Sequence, residues 1–452
     1  MCVREIIEKM HGYASFLQKF PAKIRQFFAK RKLEMASKIT FEKINTLSPW
    51  QRIRFALCKK TLKKLYVVHL QRLRGEAKRR KIRVAFLINS TSKWHCEYLY
   101  DLFDKSDNFE PLMLATKGSP KDSLDGFHRV LAVLESSGKR FARAYDPVKR
   151  KYLSLKMFNP DIVFYEQPWG VEFEHRVPYV ANFALACYTP YCFHLLHSEY
   201  NYLEKFHGFL WKYFVESTLH LESYRSKFNA DNCVSVGSLH LDGYLSKKTL
   251  DVAPWKDKSP HSKRIIYAPH FSIGVNHRMA TFHQNGQFML NLADMYAGTT
   301  WIVRPHPDLR ERAIGCGLMT EREFADYWSE WEKYGTVSWG GDFIDLFKTS
   351  DCLITDCISF LADYFPTGKP VFHLRSGEQA ARFNDFAESI IETYYQIHNN
   401  AELERLFSRV IIGGDDFMAA RRRAQAKTLG LIGEEMASKR VFDYIKSELN
   451  IQ

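Results

Sequence analysis

Twice along this chain, short apolar runs alternate with longer helical stretches, and each run ends in a polar turn. The first series opens at Arg83-Val84-Ala85-Phe86-Leu87-Ile88, turns over Asn89 to Lys93, and is followed by a predicted helix from Trp94 to Phe103. Further runs are Pro111-Leu112-Met113-Leu114 and Asp161-Ile162-Val163-Phe164-Tyr165. The second series has runs at Arg264 to Ala268, Thr300 to Val303, Thr336 to Trp339, Cys352 to Thr355 and Pro370 to Leu374. Helical stretches at Gly286 to Met295 and Arg310 to Lys333 lie between them. Strands that alternate with helices pair in parallel, because each crossover returns the chain to the same end of the sheet. Such strands are buried on both faces and read as continuous apolar runs.

The predicted fold class is therefore α/β of the GT-B plan: two Rossmann-like parallel-sheet domains facing a cleft, plus a basic helical N-terminal appendage. The predicted divisions are the appendage at 1–80, an acceptor domain at 81–246, a Lys/Asp/Pro/Ser-rich linker from Lys247 to Lys263, a donor-nucleotide domain at 264–438, and a final helix at 439–452. A chain of 452 residues accommodates this, since single cores stop growing well short of that length.

Charge divides the chain in the same way. Residues 1–83 hold 23 Lys and Arg against 5 Asp and Glu, a balance of +18; the whole chain carries +14, so the remainder carries −4. Within the appendage, Trp50, Ile53, Leu57, Leu65 and Val68 fall on one predicted helical face, flanked by Lys59, Lys60, Lys63 and Lys64. An earlier stretch, Pro21 to Lys38, sets Ile24, Phe27 and Phe28 among lysines and arginines. Basic helices with aromatic residues suit an anionic membrane surface, so peripheral docking through residues 1–80 is expected, with a solvated hairpin packed on the body as the plainer reading. No nucleic-acid-binding motif accompanies the charge, and nucleic acid is not an expected partner.

No apolar run reaches the length of a membrane span; Tyr179 to Phe193, the nearest, carries Asn182 and Pro190. Arg4, Glu5, Glu8 and Lys9 interrupt any signal-like stretch at the N-terminus, so a cytoplasmic location on the inner face of the membrane is expected. Nine scattered cysteines with no CxxC pair suggest neither a disulfide framework nor a zinc site. Neither a metal nor a cofactor is expected.

Ligands of open α/β sheets bind beyond the carboxyl ends of the strands, which directs attention to three turns. Tyr267-Ala268-Pro269-His270-Phe271-Ser272 brings His270 and Ser272 to one strand end. Arg304-Pro305-His306-Pro307 follows the next, with prolines fixing the backbone around His306 and Arg304 placed to clamp a phosphate. In Ile354-Thr355-Asp356-Cys357-Ile358-Ser359-Phe360 a strand turns into a helix, with Asp356 as expected N-cap and Ser359 beside free N–H groups that favour a pyrophosphate. Each residue alone reads more readily as a turn or capping residue; three at successive strand ends read as a donor site.

The stretches Tyr267 to Ser272, Trp301 to Pro307 and Asp342 to Leu374, the last ending in Thr367-Gly368-Lys369-Pro370, resemble the CDP-glycerol glycerophosphotransferase family. The resemblance implies transfer of a polyol phosphate, usually glycerol phosphate, from a CDP-linked donor to a hydroxyl of a surface polysaccharide or lipid-linked precursor, with CMP leaving. It puts His306, Asp356 and Ser359 at the donor phosphates with Arg304 beside them, and His270, Ser272 and Lys369 join the expected donor site. This chain has Asp356-Cys357-Ile358-Ser359 where the family often shows Asp-Tyr-Ser-Ser. The family's N-terminal Trp-His-Gly is replaced by the region from Tyr188 to His194. His194 is the first candidate for the base, ahead of His197 and His95, and Trp94 and His95 are expected on the acceptor side. The alternative is a glycosyltransferase of the same architecture that uses a nucleotide sugar in capsule or lipopolysaccharide synthesis; a non-catalytic scaffold with a basic arm is the reading from another class.

Overall fold

The computed structural model describes residues 49–452 except 120–121, 169, 200–205, 247–253, 258, 260, 275–277, 340–342, 380–381 and 432, with backbone alone over 49–57. The expected basic stretch Pro21 to Lys38, the Trp50, Ile53 and Leu57 side chains and much of the expected linker lie outside the described residues.

The N-terminal sheet is built from β1 (Ile82–Ile88), β2 (Phe109–Ala115) and β3 (Phe141–Arg143). After a small antiparallel ribbon of β4 (Tyr145–Asp146) and β5 (Lys151–Tyr152), it continues with β6 (Ile162–Tyr165), β7 (Leu185–Tyr188), β8 (Lys212–Val215) and β9 (Cys233–Ser235). Its order is β3-β2-β1-β6-β7-β8-β9, parallel throughout. The C-terminal sheet contains β10 (Lys263–Ala268), β11 (Thr299–Val303), β12 (Gly335–Val337), β13 (Cys352–Thr355), β14 (Val371–Leu374) and β15 (Tyr395–Ile397). Its order is β12-β11-β10-β13-β14-β15, again parallel throughout. Strand order reverses between β1 and β6 in one sheet and between β10 and β13 in the other, the points at which open α/β sheets bind their ligands.

Both faces of the second sheet are buried, as parallel pairing demands. Ile265, Tyr267, Trp301 and Ile354 join one apolar cluster, while the intervening Ile266, Ala268, Ile302 and Leu353 join another on the opposite face. That second cluster also takes in Phe193, Leu195 and Leu196 from the N-terminal domain, and Phe193 stacks on Phe386 at 5.2 Å between centroids. The chain around His194 thus lies against the C-terminal domain. An antiparallel bridge between Leu196 and Phe383 fixes it, with His197 N donating to Arg382 O at 3.1 Å and Asn384 N to Leu195 O at 2.9 Å. The last helix, Ala437–Glu448, returns to the first domain, where Phe442 packs on Phe103 and Phe109. Asp242 caps it by accepting from Ala437 N at 2.6 Å and Ser438 N at 2.9 Å.

Two expectations about helices need correction. Arg310 to Lys333 is not one helix but Leu309–Gly315 and Glu321–Glu330 followed by a short turn. Gly317 takes a left-handed φ of 73°, and Thr320 with Glu323 forms a capping box that starts the second helix afresh. In the basic helix Pro49–Glu76 the buried stripe is Cys58, Leu62, Tyr66, His69 and Leu73, whereas Val68 is 59% exposed. Polar groups set this register: Tyr66 Oη donates to Phe209 O at 2.7 Å and His69 Nε2 lies 3.0 Å from Ala181 O. The end of the helix is part of the N-terminal domain wall. Among the described residues no helix is long and apolar enough to cross a membrane.

Candidate functional site

The C-terminal domain's chemistry starts from a buried carboxylate. Asp356 follows β13 at the strand reversal and is 1% exposed. Its Oδ1 accepts from His270 N at 2.6 Å, and its Oδ2 accepts from Thr281 N at 2.5 Å and Thr281 Oγ1 at 2.7 Å. Burial lifts its pKa to about 6 against the pull of these donors. Asp356 is therefore not the expected N-cap. The cap of the helix Ile358–Tyr364 is Cys357, which makes no side-chain cap hydrogen bond, and the carboxylate instead ties the ends of β10 and β13 together. Ser272 is also corrected: fully buried, its Oγ accepts from Met279 N at 3.0 Å and contacts His270 Nδ1 at 2.9 Å, so it shapes the turn rather than facing a ligand. Ser359 is partly exposed near the start of the same helix.

On this clamp stand the groups that can meet an anion. The rings of His270 and His306 meet edge-on at 5.4 Å, with Phe271 packed on His306 at 4.5 Å. His306 Nδ1 accepts from Asp308 N at 3.1 Å, so in the neutral ring the proton sits on Nε2. Its side chain is 30% exposed, and burial lowers its pKa although the Asp308 carboxylate opposes this. His306 is thus built as a hydrogen-bond donor rather than a base. Arg304 is 8% exposed; its Nη1 donates to Ser338 Oγ at 3.3 Å, and the guanidinium lies 5.9 Å from the Phe343 ring centre and 6.0 Å from that of Phe360. Lys369 does not belong with them. It precedes β14, at the opposite end of the sheet, where Nζ donates to Lys348 O at 2.7 Å and Phe347 O at 3.3 Å and also contacts Ser350 O. It caps a helix end, not a donor phosphate.

The N-terminal domain presents imidazoles paired with carboxylates that sequence reasoning missed. His194 Nδ1 is bonded to Glu216, which also accepts from His194 N at 3.2 Å. The hydroxyls of Tyr188, Tyr213 and Tyr224 lie within 3.3–3.5 Å of the ring, and the His194 carbonyl accepts from Asn384 Nδ2 at 2.7 Å and His220 Nε2 at 2.8 Å. Burial acts to raise the Glu216 pKa, but the charges of His194 and His220 hold it at about 2. Burial likewise acts to lower His194, and Glu216 reverses this, raising it above 6.5. This is an enclosed ion pair, its His 6% exposed, that anchors the interdomain segment. The exposed His197 lies on the same segment.

His95 N donates to Glu166 Oε1 at 3.0 Å, across the β1/β6 reversal, and its Nδ1 donates to Lys93 O at 2.8 Å. Burial drives the His95 pKa to about 3 and Glu166 well above the carboxylate range. Trp94 turns away from it, packs edge-on against Phe86 and donates through Nε1 to Glu97 at 2.8 Å. Although no metal is expected from the sequence, His95, Cys96 and Glu166 form the one group among the described residues whose donor atoms, within 4.8 Å of one another, could hold an ion. The Cys96 thiol there is engaged with Thr189 Oγ1 at 3.4 Å.

The two domains meet at a third pair. His240 follows β9, stacks on Phe343 at 4.8 Å, and points Nε2 at Asp363 Oδ2, 3.9 Å away. Burial raises the Asp363 pKa to about 6. Glu166 and Glu216 each stand directly after an apolar strand, a signal the sequence carried; His240 and Asp363, far apart in the chain, had none. A cavity of about 230 Å³ lined by Arg83, Glu110 and Arg140 lies near the amino ends of β1 and β2, away from this chemistry.

These strand-end clusters belong to two parallel-sheet, Rossmann-like domains of the GT-B arrangement. No protein-family model and no curated protein sequence matches the chain. Among solved structures it is similar to a putative UDP-N-acetylglucosamine 2-epimerase from Listeria monocytogenes, at 15% identity and TM-score 0.53, over 81% of this chain and 96% of that one. It is similar to the UDP-GlcNAc 2-epimerase from Neisseria meningitidis bound to UDP-GlcNAc, at 13% identity and TM-score 0.53, over 81% and 100%. A variant of the wall teichoic acid polymerase TagF aligns at 13% identity and TM-score 0.50, over 89% and 99%. At such identities the likeness is one of fold.

Proposed function

We propose that this chain is a transferase that binds a nucleoside-diphosphate-linked donor at the carboxyl ends of β10, β11 and β13. The group moved is a polyol phosphate, glycerol phosphate first among them, taken from a CDP-linked donor. An acceptor hydroxyl attacks the distal phosphorus, a new P–O bond forms, the P–O bond to CMP breaks, and the hydroxyl proton leaves to an imidazole of the cleft. The observation that carries this reading is the donor cluster: the His306 ring, whose Nε2 bears the proton, stands beside His270, Asp356 anchors the His270 turn, and Arg304 directly follows β11, two residues before His306. Donors of this kind favour charge developing on a transferring phosphoryl group, where positioning and electrostatics supply most of the catalysis. Enclosure of His194 shifts its part from proton acceptor to holder of the domain junction. The basic helix Pro49–Glu76 would place the cleft against an anionic membrane, the setting of a lipid-linked or surface-polysaccharide acceptor; Lys60, Lys63, Lys64, Val67 and Val68 are exposed on it.

Glycosyl transfer from a nucleotide sugar is the second reading, favoured by the fold shared with the protein bound to UDP-GlcNAc. Calorimetry with CDP-glycerol, CDP-ribitol, UDP-GlcNAc and GDP-sugars, on wild type and His306→Ala, separates the two. Binding of a CDP-polyol that weakens at least tenfold in the variant is expected, the loss of one charge-assisted hydrogen bond. Binding of nucleotide sugars only would replace phosphoryl by glycosyl transfer, and binding of neither would end both readings.

A further inference from the structure

Two metal-binding residue types follow one another in the turn after β1, and a third joins them from the end of β6. One donor atom from each of His95, Cys96 and Glu166 lies within 4.8 Å of the others, and all three side chains are buried. Each is held by a neighbour in a way that leaves it free to bind an ion. His95 Nδ1 lies 2.8 Å from Lys93 O. A carbonyl only accepts, so Nδ1 carries the proton and Nε2 keeps its lone pair, 3.8 Å from Cys96 Sγ. Glu166 is fixed through Oε1, which accepts from His95 N at 3.0 Å. Cys96 Sγ lies 3.4 Å from Thr189 Oγ1, directly after β7, a hydroxyl able to donate to a thiolate.

Two plainer roles fit less well. A thiol with no exposure is not poised to attack a substrate. Nor is Glu166 simply the partner of a buried lysine: Lys93, whose charge reaches it, holds its ammonium over the Tyr191 ring, 5.5 Å from the centroid. A dication answers all three groups together. Thiolate and carboxylate supply two negative charges and the neutral imidazole none, so the set with its ion is uncharged, as a buried site requires. The spacing agrees, since tetrahedral zinc with bonds of about 2.0 Å to nitrogen and about 2.3 Å to sulfur sets those atoms about 3.6 Å apart.

We propose that His95 Nε2, Cys96 Sγ and the Glu166 carboxylate bind one zinc ion at the β1/β6 reversal. Thiolate with imidazole selects zinc over magnesium or calcium, which take oxygen ligands. Lys93 O, His95 N and the Thr189 hydroxyl are the outer supports that metal ligands ordinarily have, one for each. Three protein ligands leave the fourth place to a water, the pattern of catalytic rather than closed zinc sites. His95 stacks on His240 at 6.3 Å between centroids, and His240 on Phe343, so the ion lies under the boundary between the domains. The inference stands apart from the transferase reading, which nucleotide binding tests separately.

The test uses the untagged full-length chain, stripped with a chelator and dialysed. It is titrated with zinc chloride against a chromophoric chelator, and with cobalt(II) followed by absorption. Expected are one zinc per chain and a sulfur-to-cobalt charge-transfer band that Cys96→Ser abolishes and Cys316→Ser, at an exposed thiol, leaves in place. His95→Gln and Glu166→Gln should weaken zinc by about a hundredfold, and Thr189→Val, which keeps every ligand, by about tenfold. Thermal midpoints of the metal-free forms show which variants fold; should a ligand variant not fold, Thr189→Val and the wild-type cobalt spectrum decide. A chain that takes up no zinc and shows no cobalt band overturns the proposal and leaves a hydrogen-bonded cluster. Zinc held equally by wild type and every folded variant lies elsewhere and overturns it too, as does binding of magnesium or calcium in place of zinc.

Discussion

Replacing Asp356 by alanine decides between two roles for the same carboxylate. If it caps a helix and faces a donor phosphate, truncation costs affinity and little stability. The hydrogen bonds argue otherwise: three donors, His270 N, Thr281 N and Thr281 Oγ1, converge on it at 2.5–2.7 Å in a setting 1% exposed. Bonds to a charged acceptor contribute about 1.5–3 kcal/mol each, and buried N–H groups left without a partner carry their own desolvation cost. Against this stands the cost of keeping the carboxylate ionised, with its pKa raised from 3.8 to about 6, about 3 kcal/mol at neutral pH. The balance is a loss of about 3–5 kcal/mol in the C-terminal domain, or about 10 °C in its melting transition by calorimetry.

The pH dependence gives a second check on the same variant. A folded pKa above the unfolded one adds stability that is complete below pH 3.8 and is lost as pH rises through about 6. The gap between wild type and Asp356→Ala should therefore narrow by about 1 kcal/mol from pH 5 to pH 7.5. A variant that melts within about 2 °C of wild type yet loses nucleotide affinity would refute the clamp and restore Asp356 to the ligand.

Glu216→Gln breaks the enclosed ion pair with His194. Glu216 has a depressed pKa, about 2 against 4.5, so its contribution is present above pH 4.5 and lost as pH falls through about 2. His194, raised above 6.5, contributes below that value and loses it on the alkaline side, so the pair stabilises most between about pH 4.5 and 6.5. Urea denaturation should show the variant about 3 kcal/mol less stable at pH 6 and closer to wild type at pH 3; an equal deficit at both would exclude an ion pair. Triple reversal of the exposed Lys60, Lys63 and Lys64 to glutamate should lower binding to anionic vesicles by at least a hundredfold at low salt, at about 1 kcal/mol per lysine. Equal binding of wild type to neutral and anionic vesicles would dispose of the membrane reading.

What the sequence disclosed, and what it hid, divides along the range of the interactions involved. The central strands were legible because burial on both faces leaves only apolar residues, as in Ile265-Ile266-Tyr267 or Leu353-Ile354. The three-residue edge strands β3 and β15 carry too little pattern to be seen. The break in Arg310 to Lys333 was written in Gly317 and in the Thr320–Glu323 spacing, both local, and was open to reading. The face of the basic helix was not, because Tyr66 and His69 are buried through hydrogen bonds to carbonyls of residues 209 and 181 that no hydrophobic period records. The site follows the same rule. Strand ends located His270, Arg304 and His306, since topology alone sends ligands there. The role of Asp356 was misread because its three donors come from residues 270 and 281, and a carboxylate before a helix looks the same from its neighbours whether it caps or clamps. His240 and Asp363 lie further still from local view, each ordinary in its own segment, and meet only when two domains bring them face to face. For a two-domain cleft this is general: each sheet writes its strand ends into sequence, whereas the gap between the sheets, where a substrate must satisfy both sides, is written in neither half alone.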